Sequence, residues 1–115
     1  MKKVLLSSLI LATSMFAAGG FVDGETTKNV NPVKEAHKAK DDQMVTLQGY
    51  IQKKVKDEEY IFVDKNGDTI RVEIDDDKWN GAYVDEKAFI EIYGEVDRDF
   101  GDKIEVDVKR VKVLN

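Results

Sequence analysis

The chain of 115 residues contains no cysteine, one histidine, one proline and one tryptophan. The lack of cysteine excludes disulfide bonds and thiol chemistry, so the hydrophobic core alone must hold the fold together. His37 cannot form a transition-metal site by itself, and we expect it to face solvent. Serine occurs only at positions 7, 8 and 14, within a segment that we expect to be removed, which excludes a serine nucleophile. We therefore predict no enzyme activity, no cofactor and no metal.

Basic residues are fewer than acidic ones. The chain has 18 lysines and arginines against 23 aspartates and glutamates, which gives a formal net charge of −5. Affinity for nucleic acids comes largely from lysine and arginine side chains that neutralise phosphates. The acidic balance therefore argues against DNA or RNA as a partner.

A long apolar run occurs only at the N-terminus. Lys2 and Lys3 precede an uncharged apolar stretch at residues 4–15, and small residues follow at 17–20. This pattern is typical of a signal peptide, and the run is shorter than the roughly 20 residues of a membrane-spanning helix. We predict a signal peptide over 1–19 with cleavage near 17–19, and hence an exported protein with no membrane span. Removal of the leader lowers the net charge from −5 to −7.

The next segment carries little periodicity. Residues 20–31 are polar and contain glycine, and we interpret them as a flexible leader to a single domain at 32–115. Pro32 suits the first turn of a helix, which we predict over 32–40. Its apolar side is predicted to carry Val33, Ala36 and Ala39.

Beyond Met44 the pattern changes to an alternation of apolar and polar residues, the signature of half-buried strands. A phase slip at 109–110 indicates a bulge, after which Val111 and Val113 are expected to point inward. Five strands are predicted, at 45–51, 60–64, 69–74, 88–96 and 104–108.

Five short strands with one apolar face each predict a closed barrel, because rolling up buries the shared face and limits open edges. Gly49 and Gly94 mark places where a strongly coiled strand tolerates no side chain. Asn66 and Gly67 predict a tight hairpin with positive φ at both residues. The long connector at 75–87 completes the pattern of a mainly β, five-stranded OB-fold barrel. It has a short N-terminal helix and a short helical connector between strands 3 and 4.

The stretch from Asp41 to Lys112 resembles the bacterial OB-fold (BOF) family. The resemblance rests on the order and spacing of the segments DDQMVTLQGYI, YIFVDKNGDTIRVEID, KWNG, IEIYGEVDRD and KIEVDVKRV. It implies a periplasmic OB-fold barrel associated with tolerance of envelope or oxidative stress. It implies no established reaction.

Two acidic segments are candidates for binding a hard cation. The segment 64–68 (DKNGD) fails the spacing of a calcium loop, which needs glycine at the sixth position and glutamate at the twelfth, so we interpret it as a hairpin turn. The run 75–77 (DDD) has two interpretations. It caps a helical turn that begins near Lys78, which we favour, or it binds a cation together with Asp85 or Glu86.

Trp79 lies two residues after this acidic run and raises a second choice. It is either a plug that closes the barrel beneath the connector or a platform for a ligand. We favour the structural plug, with Tyr83 on the same side of the same helical turn.

The surface that OB folds commonly use for ligands carries a basic loop at 53–56 and an acidic loop at 97–102. This mixed charge suits a zwitterionic or peptide-bearing ligand better than a polyanion. We predict a monomeric binding module whose partner is a small molecule, a peptidoglycan fragment or an envelope protein. The predicted ligand-binding residues are Lys54, Lys56, Tyr60, Arg71 and Phe100.

An alternative is a structural or interaction module without a small ligand. On strand 4 we expect Phe89 and Tyr93 to point outward, flanked by Glu91 and Glu95. Exposed aromatic residues of this kind are typical of protein–protein contacts.

Overall fold

Five strands close into a barrel within residues 29–99 and 103–115, the parts of the chain that the computed structural model describes. The predicted signal peptide, most of the predicted leader and Phe100 lie outside these residues. The elements are α1 (Val33–Ala36), β1 (Met44–Lys56), β2 (Glu59–Asp64), β3 (Thr69–Glu73), a 3₁₀ helix (Asp76–Trp79), β4 (Ile90–Arg98) and β5 (Ile104–Val113).

The strands are joined in the order β1–β2–β3–β5–β4, and β4 pairs with β1 to close the barrel. The β3–β5 pair is parallel, and the other neighbours are antiparallel. The predicted five-stranded OB-fold barrel, with a short N-terminal helix and a short helical connector between β3 and β4, is confirmed.

The barrel core consists of the apolar residues of the predicted alternation. Leu47, Phe62, Val72, Ile92 and Val106 are completely buried. Burial of a side chain of this size contributes about 1.5–3 kcal/mol, so the core supplies the stabilisation that disulfides cannot give.

Two glycines allow the strands to approach closely. A Cβ atom on Gly49 would lie 2.1 Å from the carbonyl oxygen of Val63, and one on Gly94 would lie 2.6 Å from that of Asp107. Both positions therefore exclude any side chain, as the sequence predicted.

The bulge in β5 is also confirmed. Tyr93 pairs with Arg110 and Gly94 pairs with Val108, which leaves Lys109 as the extra residue. Val111 packs against the core, but the expectation for Val113 was wrong because 45% of its surface is exposed. Val113 pairs with the first residue of β4, at the end of the barrel, where no further layer covers it.

The two hairpin turns differ from prediction. Residues 53–56 are part of β1 and not a loop, because β1 and β2 stay paired up to Lys56 and Glu59, and Glu58 turns the chain with a φ of 64°. In the β2–β3 turn only Gly67 has positive φ, at 87°. That connection spans residues 65–68, the same four residues that the predicted strand bounds leave between strands 2 and 3.

One end of the barrel is sealed by α1 and the turns that follow it. The helix is shorter than predicted, because the backbone N–H groups of Lys38 and Ala39 donate to carbonyls three residues back and tighten the chain. Its apolar side is confirmed, since Val33 and Ala36 are fully buried and Ala39 is 6% exposed.

Several hydrogen bonds tie this end to the barrel. The backbone N–H of Val33 donates to Oδ2 of Asp64 at 2.9 Å, and Nε of Arg98 donates to the carbonyl of Ala39 at 2.7 Å. Asn31, the last residue of the predicted leader, donates its backbone N–H to the carbonyl of Thr46 at 2.7 Å. The segment before α1 thus covers the edge of β1 that β2 does not reach.

Candidate functional site

A cleft of about 500 Å³ crosses the outer surface of β3, β4 and β5, and we call it the mixed-charge cleft. Arg71 and Glu105 are neighbours across the β3–β5 pair, and Asp97 faces Glu105 across the β4–β5 pair. The ends of β1 and β2 complete it. The charged lining residues are Lys56, Arg71, Lys103, Glu59, Asp97, Asp99 and Glu105.

Glu59 forms ion pairs with two of the three cationic residues that line the cleft. Its carboxylate lies 3.0 Å from Nη1 of Arg71 and 3.8 Å from Nζ of Lys56. Both cations remain partly exposed, with 42% and 69% of their side-chain surfaces accessible. Exposed ion pairs of this kind contribute little stability, so the guanidinium and ammonium groups can exchange Glu59 for a ligand at low cost.

Among the acidic residues of the cleft, Glu105 is subject to repulsion from neighbouring carboxylates. Burial raises the pKa of the Glu105 carboxyl, and the charges of Glu59 and Glu73 raise it further, while Arg71 acts in the opposite direction. A cationic group placed near Glu105 would relieve this repulsion. The cleft can therefore interact with both charges of a zwitterion.

The five predicted ligand-binding residues do not form one site. Lys56 and Arg71 come together in the mixed-charge cleft, whereas Lys54 lies outside its lining and pairs with Asp57 at 3.8 Å. Tyr60 packs against the core on the opposite side of β2. Phe100 is not among the described residues, although Asp99 and Lys103 on either side of it line the cleft.

Beyond the acidic loop at 97–102, the sequence prediction missed four lining residues of this cleft, Glu59, Lys103, Ile104 and Glu105. Glu59 and Lys103 lie just before the predicted second and fifth strands. Charged residues at strand ends that share one edge of an OB barrel are the signal that would have pointed to them.

Tyr60 instead belongs to a second cavity of about 380 Å³ at the connector end of the barrel, which we call the aromatic groove. Its ring and that of Trp79 lie 5.7 Å apart, centroid to centroid, at 85°. The lining consists of Ile51, Tyr60, Asp76, Trp79, Gly81, Ala82, Tyr83 and Val84.

Trp79 has two environments. It is half-buried and packs against the core, and its remaining surface lines the aromatic groove. Tyr83 does not share a helical turn with it, because Asn80 adopts φ 53° and ends the 3₁₀ helix. The expectation of one helical face was therefore wrong, and Tyr83 stands in solvent with its full surface exposed, at 102%.

The start of the helical connector and its capping residue both differ from the prediction. The 3₁₀ helix begins at Asp76, two residues before the predicted start, and the Asp75 side chain makes no capping hydrogen bond. Oε2 of Glu58 accepts the backbone N–H of Asp76 at 3.1 Å instead. A residue from the β1–β2 turn thus takes the role expected of the aspartate run.

Among the described residues, one group of three carboxylates has oxygens within 4.8 Å of one another: Glu58, Glu73 and Asp75. Neither Asp85 nor Glu86 belongs to it. Burial raises the pKa of the Glu73 carboxyl, and the charges of Asp107 and Asp75 raise it further.

The segment 64–68 forms the hairpin turn that the sequence favoured over a calcium loop. Oδ1 of Asp64 accepts the backbone N–H groups of Asn66 and Asp68, at 3.0 and 3.2 Å. Its Oδ2 accepts the backbone N–H of Val33 at the start of α1. The Asp64 carboxylate is thus committed to backbone donors.

The aromatic residues expected at a protein contact are engaged within the chain. Phe89 packs on Tyr50 with ring centroids 5.4 Å apart, and the guanidinium carbon of Arg110 lies 4.4 Å from the centre of the Tyr93 ring. The expectation that Glu91 is exposed was wrong. It is 7% exposed, because Gln48 faces it across the strands and donates to its carboxylate at 2.8 Å.

Sequence comparison gives a family match that covers most of the chain. The model described as "Bacterial OB fold (BOF) protein" matches residues 12–113. Protein YgiW of Escherichia coli K12 is 42% identical over 87 residues, which are 76% of this chain and 65% of that protein. The "calcium-regulated OB-fold protein CarO" of Pseudomonas aeruginosa is 36% identical over 110 residues, 96% of this chain and 93% of CarO.

Structural comparison agrees with the sequence matches. The solved structure of E. coli YgiW superposes with a TM-score of 0.71 at 40% identity and covers 84% of this chain and 100% of that chain. The telomere-capping protein Ten1 of S. pombe has a TM-score of 0.55 at 15% identity over 74% of this chain and 79% of its own, a likeness of fold alone. Within the described ranges, no helix has the length and apolar character needed to span a membrane.

Proposed function

The chain belongs to the bacterial OB-fold (BOF) family, and from this premise we propose that it is a non-catalytic periplasmic binding module. It supports tolerance of envelope or oxidative stress. Its ligand is a peptide-bearing fragment of the cell wall, held in the mixed-charge cleft.

The observation that carries this proposal is the charge arrangement of that cleft. Lys56, Arg71 and Lys103 offer cationic groups to carboxylates, and Asp97 and Asp99 offer carboxylates to an amine. The peptide stem of a cell-wall fragment presents both charges on one short chain. A polyanion would instead meet four acidic side chains along the same surface, which disfavours nucleic acid.

Calorimetric titration with a soluble muropeptide tests the proposal. We expect saturable binding, and Arg71→Gln should weaken it about tenfold or more, since a charge-assisted hydrogen bond contributes roughly 1.5–3 kcal/mol. Lys54→Gln is the matched control, because Lys54 lies on the same strand as Lys56 but outside the cleft. It should change the affinity less than twofold.

Two results would contradict the proposal. One is an absence of muropeptide binding by the wild-type protein. The other is equal binding of the muropeptide and its peptide-free glycan, since the charges of the cleft would then play no part.

A further inference from the structure

The aromatic groove is separate from the mixed-charge cleft, and no residue lines both. It lies at the end of the barrel where the connector crosses from β3 to β4. Its walls are of two kinds. Ile51, Ala82 and Val84 form an aliphatic part, and Tyr60 and Trp79 form an aromatic corner.

The aromatic corner has the geometry that attracts a cation. The Tyr60 and Trp79 rings meet at 85°, so a group seated in the groove can face the π surface of one ring while it contacts the other. A cation within about 6 Å of an aromatic centroid is attracted by the ring quadrupole, and tryptophan is the strongest partner.

Asp76 places a carboxylate in the lining of the same groove. It is the one carboxylic acid among the described residues that line the groove, and it is exposed at the start of the 3₁₀ helix. Residues 75–87 around it hold five acids and two lysines, a local charge of −3. Of those lysines, Lys78 already lies 4.0 Å from Asp77. The charge around the groove therefore complements a cation and repels an anion.

We propose that the aromatic groove binds small alkylammonium compounds, meaning a short aliphatic chain that ends in a positively charged amine. The chain lies along Ile51 and Val84, and the ammonium group contacts the Trp79 and Tyr60 rings and the Asp76 carboxylate. Tyr83 stands in solvent in the free protein and gains a contact only when a ligand fills the groove. This site does not depend on the proposed cell-wall ligand.

The single tryptophan of the chain makes the test direct, because its fluorescence reports on this groove alone. The probes are N-acetyl-lysine methylamide and its neutral counterpart N-acetyl-norleucine methylamide, which share the aliphatic chain and differ in the ammonium group. We expect a saturable change in Trp79 emission with the lysine probe. Binding of the norleucine probe should be at least about tenfold weaker, as the loss of cation–π and carboxylate contacts implies.

Two adjacent aspartates supply matched variants. Asp76→Asn should weaken the lysine probe about tenfold, since it removes the carboxylate of the groove. Asp77→Asn removes the same charge one residue away, from a side chain that lines a different cavity, and should change affinity less than twofold. Circular dichroism of both variants establishes that the fold is retained. Arg71→Gln should leave the lysine probe unaffected, which separates this site from the mixed-charge cleft.

Three outcomes would overturn the proposal. The first is the absence of a saturable response to the lysine probe in the wild-type protein. The second is equal affinity for the two probes, which would make the groove a site for neutral chains. The third is equal weakening of lysine-probe binding by Asp76→Asn and Asp77→Asn. The overall negative charge of the connector, and not a specific contact with Asp76, would then attract the probe.

Discussion

The two ends of the barrel are closed in different ways. At the first end, α1 and the turn after it bury three small apolar side chains almost completely, and Asp64 and Arg98 fix both ends of the segment by hydrogen bonds. At the second end, no residue of the 3₁₀ helix is fully buried, and Trp79 covers the core with only part of its surface.

This difference supports a division of roles within one small domain, with stability at the α1 end and the proposed recognition at the connector end. The α1 end combines full burial with satisfied polar groups, the features of a structural element. The connector end keeps aromatic surface and a carboxylate accessible, and exposed apolar surface beside polar groups is typical of a binding site. The comparison predicts that substitutions at the α1 end affect mainly folding, and those at the connector end mainly binding.

The largest effect on stability is expected from Asp64→Ala. The substitution leaves three backbone N–H groups without their acceptor, in a position that is 7% exposed. We expect the free energy of unfolding to fall by about 3 kcal/mol. In a domain of this size each kcal/mol lowers Tm by roughly 4–8 °C. Thermal melts followed by circular dichroism measure it, and a drop of less than 4 °C would show that the α1 end is not held by this carboxylate.

Trp79→Ala should destabilise the protein less than Asp64→Ala. Complete burial of an aromatic ring would cost about 3–5 kcal/mol on truncation, and the half-buried Trp79 is expected to cost about 2 kcal/mol. Acrylamide should quench the wild-type fluorescence to an intermediate degree. A loss equal to or greater than that of Asp64→Ala, with little quenching of the wild type, would mean that Trp79 is purely a plug.

A smaller effect, with a distinctive pH dependence, is expected from Glu73→Gln. The pKa of Glu73 is raised in the folded protein, first by burial and then by Asp107 and Asp75. The folded state therefore holds this proton more tightly than the unfolded chain. The contribution of this carboxyl to the free energy of unfolding therefore falls as the pH rises from the ordinary glutamate pKa through the raised value. Above the raised value the contribution stays at its lower level.

Glu73→Gln should consequently raise Tm at pH 7 and lose most of this advantage by pH 4, where the wild-type carboxyl is mostly protonated in both states. Tm values of the variant and the wild type between pH 4 and 8 measure the difference. A Tm gain that does not change with pH would exclude the carboxyl charge as its cause.

The smallest effects compare two acids near the first residue of the 3₁₀ helix, Glu58 from the β1–β2 turn and Asp75 directly before the helix. Glu58→Ala should cost about 1 kcal/mol, because Glu58 accepts the backbone N–H of Asp76 in the manner of a cap. Asp75→Ala should cost less than about 0.5 kcal/mol, since its side chain caps nothing. Chemical denaturation of both variants compares them, and the reverse order would restore Asp75 as the cap.

Much of the fold could be predicted from local patterns. Alternation placed the strands, Gly49 and Gly94 marked the close approaches, and the phase slip located the bulge at Lys109. These features depend on the chemistry of single residues and on a period of two, both of which are visible along the chain.

The missed features depend on partners that are distant in sequence. Lys53 to Lys56 carry no alternation, so their inclusion in β1 follows only from pairing with β2. Glu91 is buried by a cross-strand neighbour, Gln48, and Glu58 caps a helix that begins 18 residues later. The mixed-charge cleft draws residues from all five strands, and only the closed barrel brings them together.

The central claim is that the α1 end is structural and that ligands bind away from it, with the proposed cell-wall ligand in the mixed-charge cleft. The most direct measurement is a series of ¹H–¹⁵N correlation spectra of the ¹⁵N-labelled protein during titration with a muropeptide. The account predicts shifts for the amides of Lys56, Arg71 and Lys103, with Val33 and Ala36 unchanged. Shifts centred on α1, with Lys56, Arg71 and Lys103 unmoved, would contradict it.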